Sequence, residues 1–483
     1  MKIKLITTHV LLISGIWVSA QFDSKVFQTI NEDVIETSQA YENLKKATEK
    51  IGHRLAGTSH GKEAEEMAAD ILRSYGYEVE FQPFKFRGWK RKSLRLSIGG
   101  LKQPKTLVQS VALAHSPEKV SVQAELIYLG NGLESDYLKQ GNQVKGKIVF
   151  ASLGLEEGTP KETQNLHRSE KTALAEKYGA KGIILYNRVP NGVLLTGTAS
   201  VTGDIISIPA ICIGLEDGLK LKEQLSDQKQ IASIEMQNEV GEMEARNVIV
   251  RQKGSEFPDE KIIVGGHLDS WDLATGAIDN GIGSFSVIDI ARVFKTLNLK
   301  TKRTVEFILF MGEEVGLLGS KHYVSEALKN NTIDQIKYMS NLDMVNGPKA
   351  YSSTMETDKA YLDSLTLHTK SFKPEFKSES SIRGGLHSDH QPFMLQGIPI
   401  VGLSGSTFSP GVLNCYHADC DVFDLVDRQG LIDNVRYETF LLYDLANKRN
   451  LPSRRLNDNE VREQLIKANL EIPLRISGDW RWD

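Results

Sequence analysis

Two histidines and a group of carboxylates fall in four short motifs of this chain. They are Gly265-Gly266-His267-Leu268-Asp269 with Gly276-Ala277-Ile278-Asp279-Asn280-Gly281, then Phe310-Met311-Gly312-Glu313-Glu314-Val315-Gly316, Ser340-Asn341-Leu342-Asp343-Met344 and Cys415-Tyr416-His417-Ala418-Asp419-Cys420-Asp421. Each lies at the end of an apolar run or in a loop close by, where open α/β sheets gather their functional groups. Taken singly, each has an ordinary reading. A strand-end histidine is usually a hydrogen-bonded structural residue, a Glu-Glu pair a solvated helix start, and an aspartate such as Asp343 a helix cap. Taken together, two histidines and three carboxylates form a borderline-hard donor set that suits Zn²⁺.

Such a set needs rigid elements to hold it. Beyond Arg246 the pattern runs strand, loop, helix, repeatedly. Strands are expected at 261–266, 304–311, 337–342 and 397–403, and helices at 282–294, 317–328 and 429–446. This alternation argues for a mostly parallel α/β sheet. Upstream, 22–50 is polar and helix-forming, 61–75 has helical periodicity ending at Gly76, and 79–86 alternates as a strand does. From about 94 to 243 the texture shifts to short β-type runs separated by Gly, Asn and Pro, with one helical segment at 171–178, which reads as a second domain inserted into the first.

The motif set resembles that of the di-zinc exopeptidases that include the bacterial leucyl aminopeptidases and carboxypeptidase Q. Gly52-His53-Arg54-Leu55-Ala56-Gly57-Thr58 resembles the family's opening segment. Val144-Lys145-Gly146-Lys147-Ile148-Val149 and Gly179-Ala180-Lys181-Gly182-Ile183-Ile184 resemble a protease-associated domain, inserted where carboxypeptidase Q carries one. The resemblance implies a mostly parallel mixed sheet sandwiched by helices, with that β-rich insertion. It divides the chain into a signal peptide at 1–20, peptidase segments at 21–93 and 244–450, the insertion at 94–243, and a tail at 451–483.

The resemblance also implies two zinc ions per chain, one held by His267 and Asp343, the other by Glu314 and His417, with Asp279 bridging them. A carboxylate can span two metals with one oxygen each, and the pair can hold a water of lowered pKa between them. Glu313, beside a ligand in sequence, is the expected general base. Asp269 and Asp421 are expected to orient the imidazoles of His267 and His417 from behind. The run Gly384-Gly385-Leu386-His387-Ser388-Asp389-His390 resembles a substrate-cleft loop, so His387, Asp389 and His390 are candidate substrate contacts, although Asp389 could instead cap a helix. The chain departs from the family pattern at Val422, where relatives often carry Thr, and at Cys420, where Gly is common.

Composition bounds the rest. The 483 residues carry a net charge of −4, with 40% hydrophobic and 25% charged side chains, which is globular and unlike a nucleic-acid binder. Lys2 and Lys4, the apolar run 5–17 and Val18-Ser19-Ala20 form a secretory signal pattern; its removal leaves a charge of −6 and no membrane segment. A periplasmic or secreted location follows. It permits a local Cys415–Cys420 disulfide, with two free thiols as the alternative, while Cys212 reads as buried. The expected activity is hydrolysis of dipeptides or short peptides near a free terminus. Two alternatives remain at this point: a glutaminyl-cyclase-like aminoacyl cyclotransferase using one zinc, and a non-catalytic binding protein on the same scaffold. The sequence leaves open a homodimer and the role of the aromatic tail 477–483.

Overall fold

The computed structural model describes residues 22–482 except Ser378; the signal segment at 1–20 lies outside the described residues. Four parallel strands, Ile400–Ser404, Ile336–Asn341, Phe257–His267 and Arg303–Phe310, lie side by side in that order. Their sequences are near-continuous apolar runs because both faces are covered. Alternate residues Ile262, Val264, Phe307 and Leu309 pack with the helices Ile282–Thr296 and Arg428–Asn447. Ile263, Ile308, Phe310 and Met339 pack on the other face with Phe393, Val461 and Leu465. Ala350–Ser353 adds an antiparallel strand at one edge, beside Ile400–Ser404.

At the other edge the expected strand at 79–86 turns out to be far longer. Glu80–Gly100 pairs antiparallel with Gln230–Gln252 along its whole length, from Glu80↔Ile249 to Gly100↔Gln230. This ribbon leaves the first sheet and continues into a second, where Gln230–Gln252 pairs with Lys119–Tyr128. Beyond it come the parallel strands Ile148–Ser152, Gly182–Tyr186 and Ala210–Ile213. The second sheet has a separate core that includes Leu113, Val149, Ile183 and Cys212. The passage between the two units therefore falls within continuous strands rather than at a loop.

Two glycines let the ligand-bearing elements converge. A Cβ on Gly266 would lie 2.7 Å from the Leu342 carbonyl oxygen, and one on Gly283 only 2.0 Å from the same atom. The strand ending at His267, the start of helix Ile282–Thr296 and the turn before Asp343 thus meet at a distance that no side chain would tolerate.

The aromatic tail is structural. Trp480 and Trp482 are buried in the second face's core, and Trp482 Nε1 donates to Asp458 Oδ2 at 2.7 Å. This anchorage leaves Ser477 and Asp479 on the wall of a cavity described below.

Candidate active site

The four motifs converge at the carboxyl ends of the parallel strands. His267 Nε2 lies 3.3 Å from Asp279 Oδ1 and 3.4 Å from Asp343 Oδ1. On the other side, His417 Nε2 lies 2.9 Å from Asp279 Oδ2 and 3.0 Å from Glu314 Oε2. Two three-residue groups, His267/Asp279/Asp343 and Asp279/Glu314/His417, therefore share one carboxylate, each oxygen of which faces a different imidazole. Glu314 Oε1 is buried and has no hydrogen-bond partner. So many ionisable groups in a desolvated pocket are costly without compensating cations. The orphaned oxygen and the shared carboxylate fit a pair of divalent ions.

The electrostatics follow from crowding. Burial works to raise the Asp279 carboxyl, but the imidazoles of His267 and His417 outweigh it and hold the group well below the usual carboxylate range. Burial pushes Glu314 up to about 7. Burial, together with the charges of Asp343, Glu314 and Asp389, pushes Glu313 well above its ordinary value against the pull of His267. Glu313 lines a cavity of about 150 Å³ together with Asp279, Glu314, Asp343 and His417.

Of the two supporting carboxylates, Asp269 lies behind His267, with Oδ1 3.7 Å from Nδ1, whereas Asp421 is turned to another segment. His267 Nδ1 faces the main-chain oxygen of Asp269 at 3.1 Å, while the Asp269 carboxylate accepts the amides of Glu313 and Glu314 at 3.2 and 3.3 Å. Asp269 thus holds the Glu313-Glu314 turn and faces the His267 imidazole with both its main-chain oxygen and its carboxylate. Asp421 forms no ion pair with His417 among the described residues. The loop turns after Ala418 and carries Asp421 beneath Asp279, where its two oxygens accept the amides of Ile278 (2.7 Å) and Asp279 (3.0 Å). Burial pushes its carboxyl up to about 6. Replacing Asp421 by alanine would leave two buried amides unpaired at about 1–3 kcal/mol each. The expected result is a lower melting temperature together with weaker zinc retention against a chelator; an unchanged zinc affinity would mean that Asp279 is held by other contacts.

Of the three loop residues expected to meet substrate, His387 lines the cavity, stacks on His167 and lies 3.4 Å from Glu170 Oε1. Asp389 is fully buried and contributes nothing to the cavity wall; burial pushes it up to about 7. It stands at the N-cap of helix His390–Leu395 without making a side-chain capping bond. A carboxylate enclosed in this way cannot touch a substrate. His390 Nε2 faces the Gly385 carbonyl oxygen and lines a neighbouring chamber.

Several site residues escape sequence reading. Arg54, from the opening motif, is fully buried and donates to the carbonyls of Leu268, Thr275 and Gly276, bracing the loop between His267 and Asp279. From the inserted unit, Arg168 Nη2 lies 3.0 Å from His417 Nδ1, and the Thr196 carbonyl oxygen is 3.3 Å from the same nitrogen. No local pattern marks these residues, because their partners lie over 200 positions away in the chain. Cys415 and Cys420 are joined in a disulfide that brackets His417, and Cys212 is free and buried as expected.

A mostly parallel sheet flanked by helices, carrying paired His/carboxylate groups at its carboxyl edge, defines a metallo-exopeptidase. Residues 247–438 match the model of peptidase family M28 and residues 122–221 that of the PA domain. It is 29% identical to aminopeptidase YwaD of Bacillus subtilis (strain 168), over 86% of each chain. Against carboxypeptidase Q of Bos taurus it is 26% identical over 59% of this chain and 61% of that one. Among solved structures, a zinc aminopeptidase from Bacillus subtilis covers 87% of this chain and 97% of its own, with 26% identity and a TM-score of 0.62. Zinc is the metal named for that neighbour, and paired His/carboxylate groups are donors that zinc takes.

Proposed function

We propose that this protein is a secreted exopeptidase that binds two zinc ions and hydrolyses dipeptides or short peptides near a free terminus. The observation that carries the reading is the pair of donor groups joined through Asp279. In this reading His267 and Asp343 hold one zinc, Glu314 and His417 the other, and Asp279 both. Bound zinc would supply Lewis acidity toward the scissile carbonyl and lower the pKa of water.

The chain's own residues do the rest. Glu313, on the cavity wall and outside both donor groups, takes the proton of the attacking water and delivers it to the leaving amine. Asp269 fixes Glu313 through its amide, and Asp421 fixes Asp279 in the same way. The inserted unit, the His387 loop and the C-terminal tail wall the cavity on the side away from the sheet, through His167, Glu170, His387, Ser477 and Asp479. A cleft enclosed on that side favours short substrates over the middle of a polypeptide. The disulfide at His417 supports an oxidising compartment, and no helix among the described residues is long and apolar enough to cross a membrane. The paired groups speak against a single-zinc cyclotransferase.

Metal analysis combined with a hydrolysis screen tests the reading. Free dipeptides and aminoacyl nitroanilides should be hydrolysed by protein holding two zincs per chain and not after chelation, while N-acetylated peptides should resist. Comparable cleavage of peptides blocked at both ends would refute it.

A further inference from the structure

Beside the metal-ligand cluster lies a second chamber of about 530 Å³, which meets the first cavity at Asp343 and Met344. The first cavity contains Glu313, Glu314, Asp279 and His417 and so must hold the reacting bond. The second touches the cluster only through Asp343, which makes it a side compartment for a group next to that bond.

Its wall mixes aliphatic side chains, among them Met344, Val345, Ile400 and Leu403, with polar ones. Among the described residues His390 is the one aromatic ring in the lining, and burial lowers its pKa, which favours the neutral ring. Ser352 and Ser404 present hydroxyls from two neighbouring antiparallel strands. The one lining carboxylate is Asp343, already committed to the ligand group and to the Ser388 hydroxyl at 2.5 Å. Arg383, an exposed residue, also lines the chamber and forms no ion pair with a carboxylate among the described residues. The chamber's uncommitted charge is therefore positive.

We propose that this chamber receives the side chain of the substrate's N-terminal residue and selects an acidic one, aspartyl or glutamyl, with Arg383 as counter-charge and Ser352 and Ser404 as hydrogen-bond donors. The proposal rests on the exopeptidase reading above and adds the substrate class. Arginine is suited to the task because its fork can pair both carboxylate oxygens.

The test compares kcat/KM of the zinc-loaded enzyme for glutamyl-, glutaminyl- and leucyl-nitroanilides. Glutamyl and glutaminyl side chains share shape and differ in charge, so their ratio reads Arg383 directly. Wild type should favour glutamyl over glutaminyl about tenfold to hundredfold, as a charged hydrogen-bonded pair would. Arg383→Met should bring that ratio close to one, and Arg383→Glu should turn the preference towards a lysyl substrate. Arg383 lies on an exposed loop, so both variants should fold, which a melting curve checks. A wild type that prefers leucyl or glutaminyl substrates overturns the proposal and leaves the exopeptidase reading standing, and so does a glutamyl preference that survives Arg383→Met. Hydrolysis of no aminoacyl substrate at full zinc loading overturns both.

Discussion

Glu313→Gln is expected to keep two zincs per chain and an unchanged melting temperature while lowering kcat about a thousandfold. General acid–base catalysis contributes about 10²–10⁴ in rate, and a factor of 10³ corresponds to about 4 kcal/mol of transition-state stabilisation. Glutamine preserves the volume but cannot take a proton from water. The backbone at this position is held independently of the side chain, since the amides of residues 313 and 314 donate to Asp269. Neither of the two donor groups includes Glu313, so metal content should not follow activity. The measurement is steady-state hydrolysis of an aminoacyl nitroanilide alongside zinc analysis of the same sample. A variant retaining more than a tenth of wild-type kcat would remove Glu313 from the role of base, and one that loses zinc would make it a ligand.

The second large effect is expected at Asp279. Its two oxygens lie within 3.3 Å of His267 Nε2 and 2.9 Å of His417 Nε2, so Asp279→Ala takes one ligand from each proposed metal position. Disturbing groups that merely support metal ligands costs 10–100-fold in affinity, and losing a shared ligand should cost at least that at both positions. Zinc bound per chain at buffered free zinc should drop from two to below one, with loss of activity. Stability provides an independent readout. A metal present at a hundred times its Kd stabilises by about 2.7 kcal/mol, so the rise in melting temperature on adding zinc should largely vanish in the variant. Two zincs retained at wild-type affinity would contradict the bridge. Asp343→Ala makes the useful comparison, because it removes a ligand from one group only.

Some features could be read from the linear chain because their physics is local. The apolar stretches 262–264 and 307–310 lie within strands buried on both faces, since a parallel sheet covered on both sides has no solvent side to mark. The helix at 428–447 shows its periodicity plainly and was expected within one residue at each end. His267, Glu314 and Asp343 stand at or just past the ends of such strands and Asp279 and His417 in the loops beyond, and the structure brings all five together. Reading failed where a residue's role depends on the path of a loop. Asp421 was expected behind His417, yet its carboxylate accepts the amides of Ile278 and Asp279; Asp269 does stand beside His267, and its grip on the Glu313 and Glu314 amides was not foreseen. The ribbon of Glu80–Gly100 with Gln230–Gln252 was seen only at its start, because beyond residue 86 the strand's burial no longer alternates cleanly.

The amino-acid sequence by itself gave the class of fold and the change of texture at the inserted unit, because apolar periodicity is a property of neighbouring residues; the donor set came from motifs that resemble those of a known family. Only the tertiary structure decided that Arg54 braces the loop from 268 to 276, that Arg168 reaches His417 from a helix of the inserted unit, and that Arg383, with no carboxylate partner among the described residues, lines a chamber beside Asp343. Those facts depend on which distant segments are brought within about 3 Å of one another. Close packing of the whole core fixes such distances, and no stretch of chain encodes them locally.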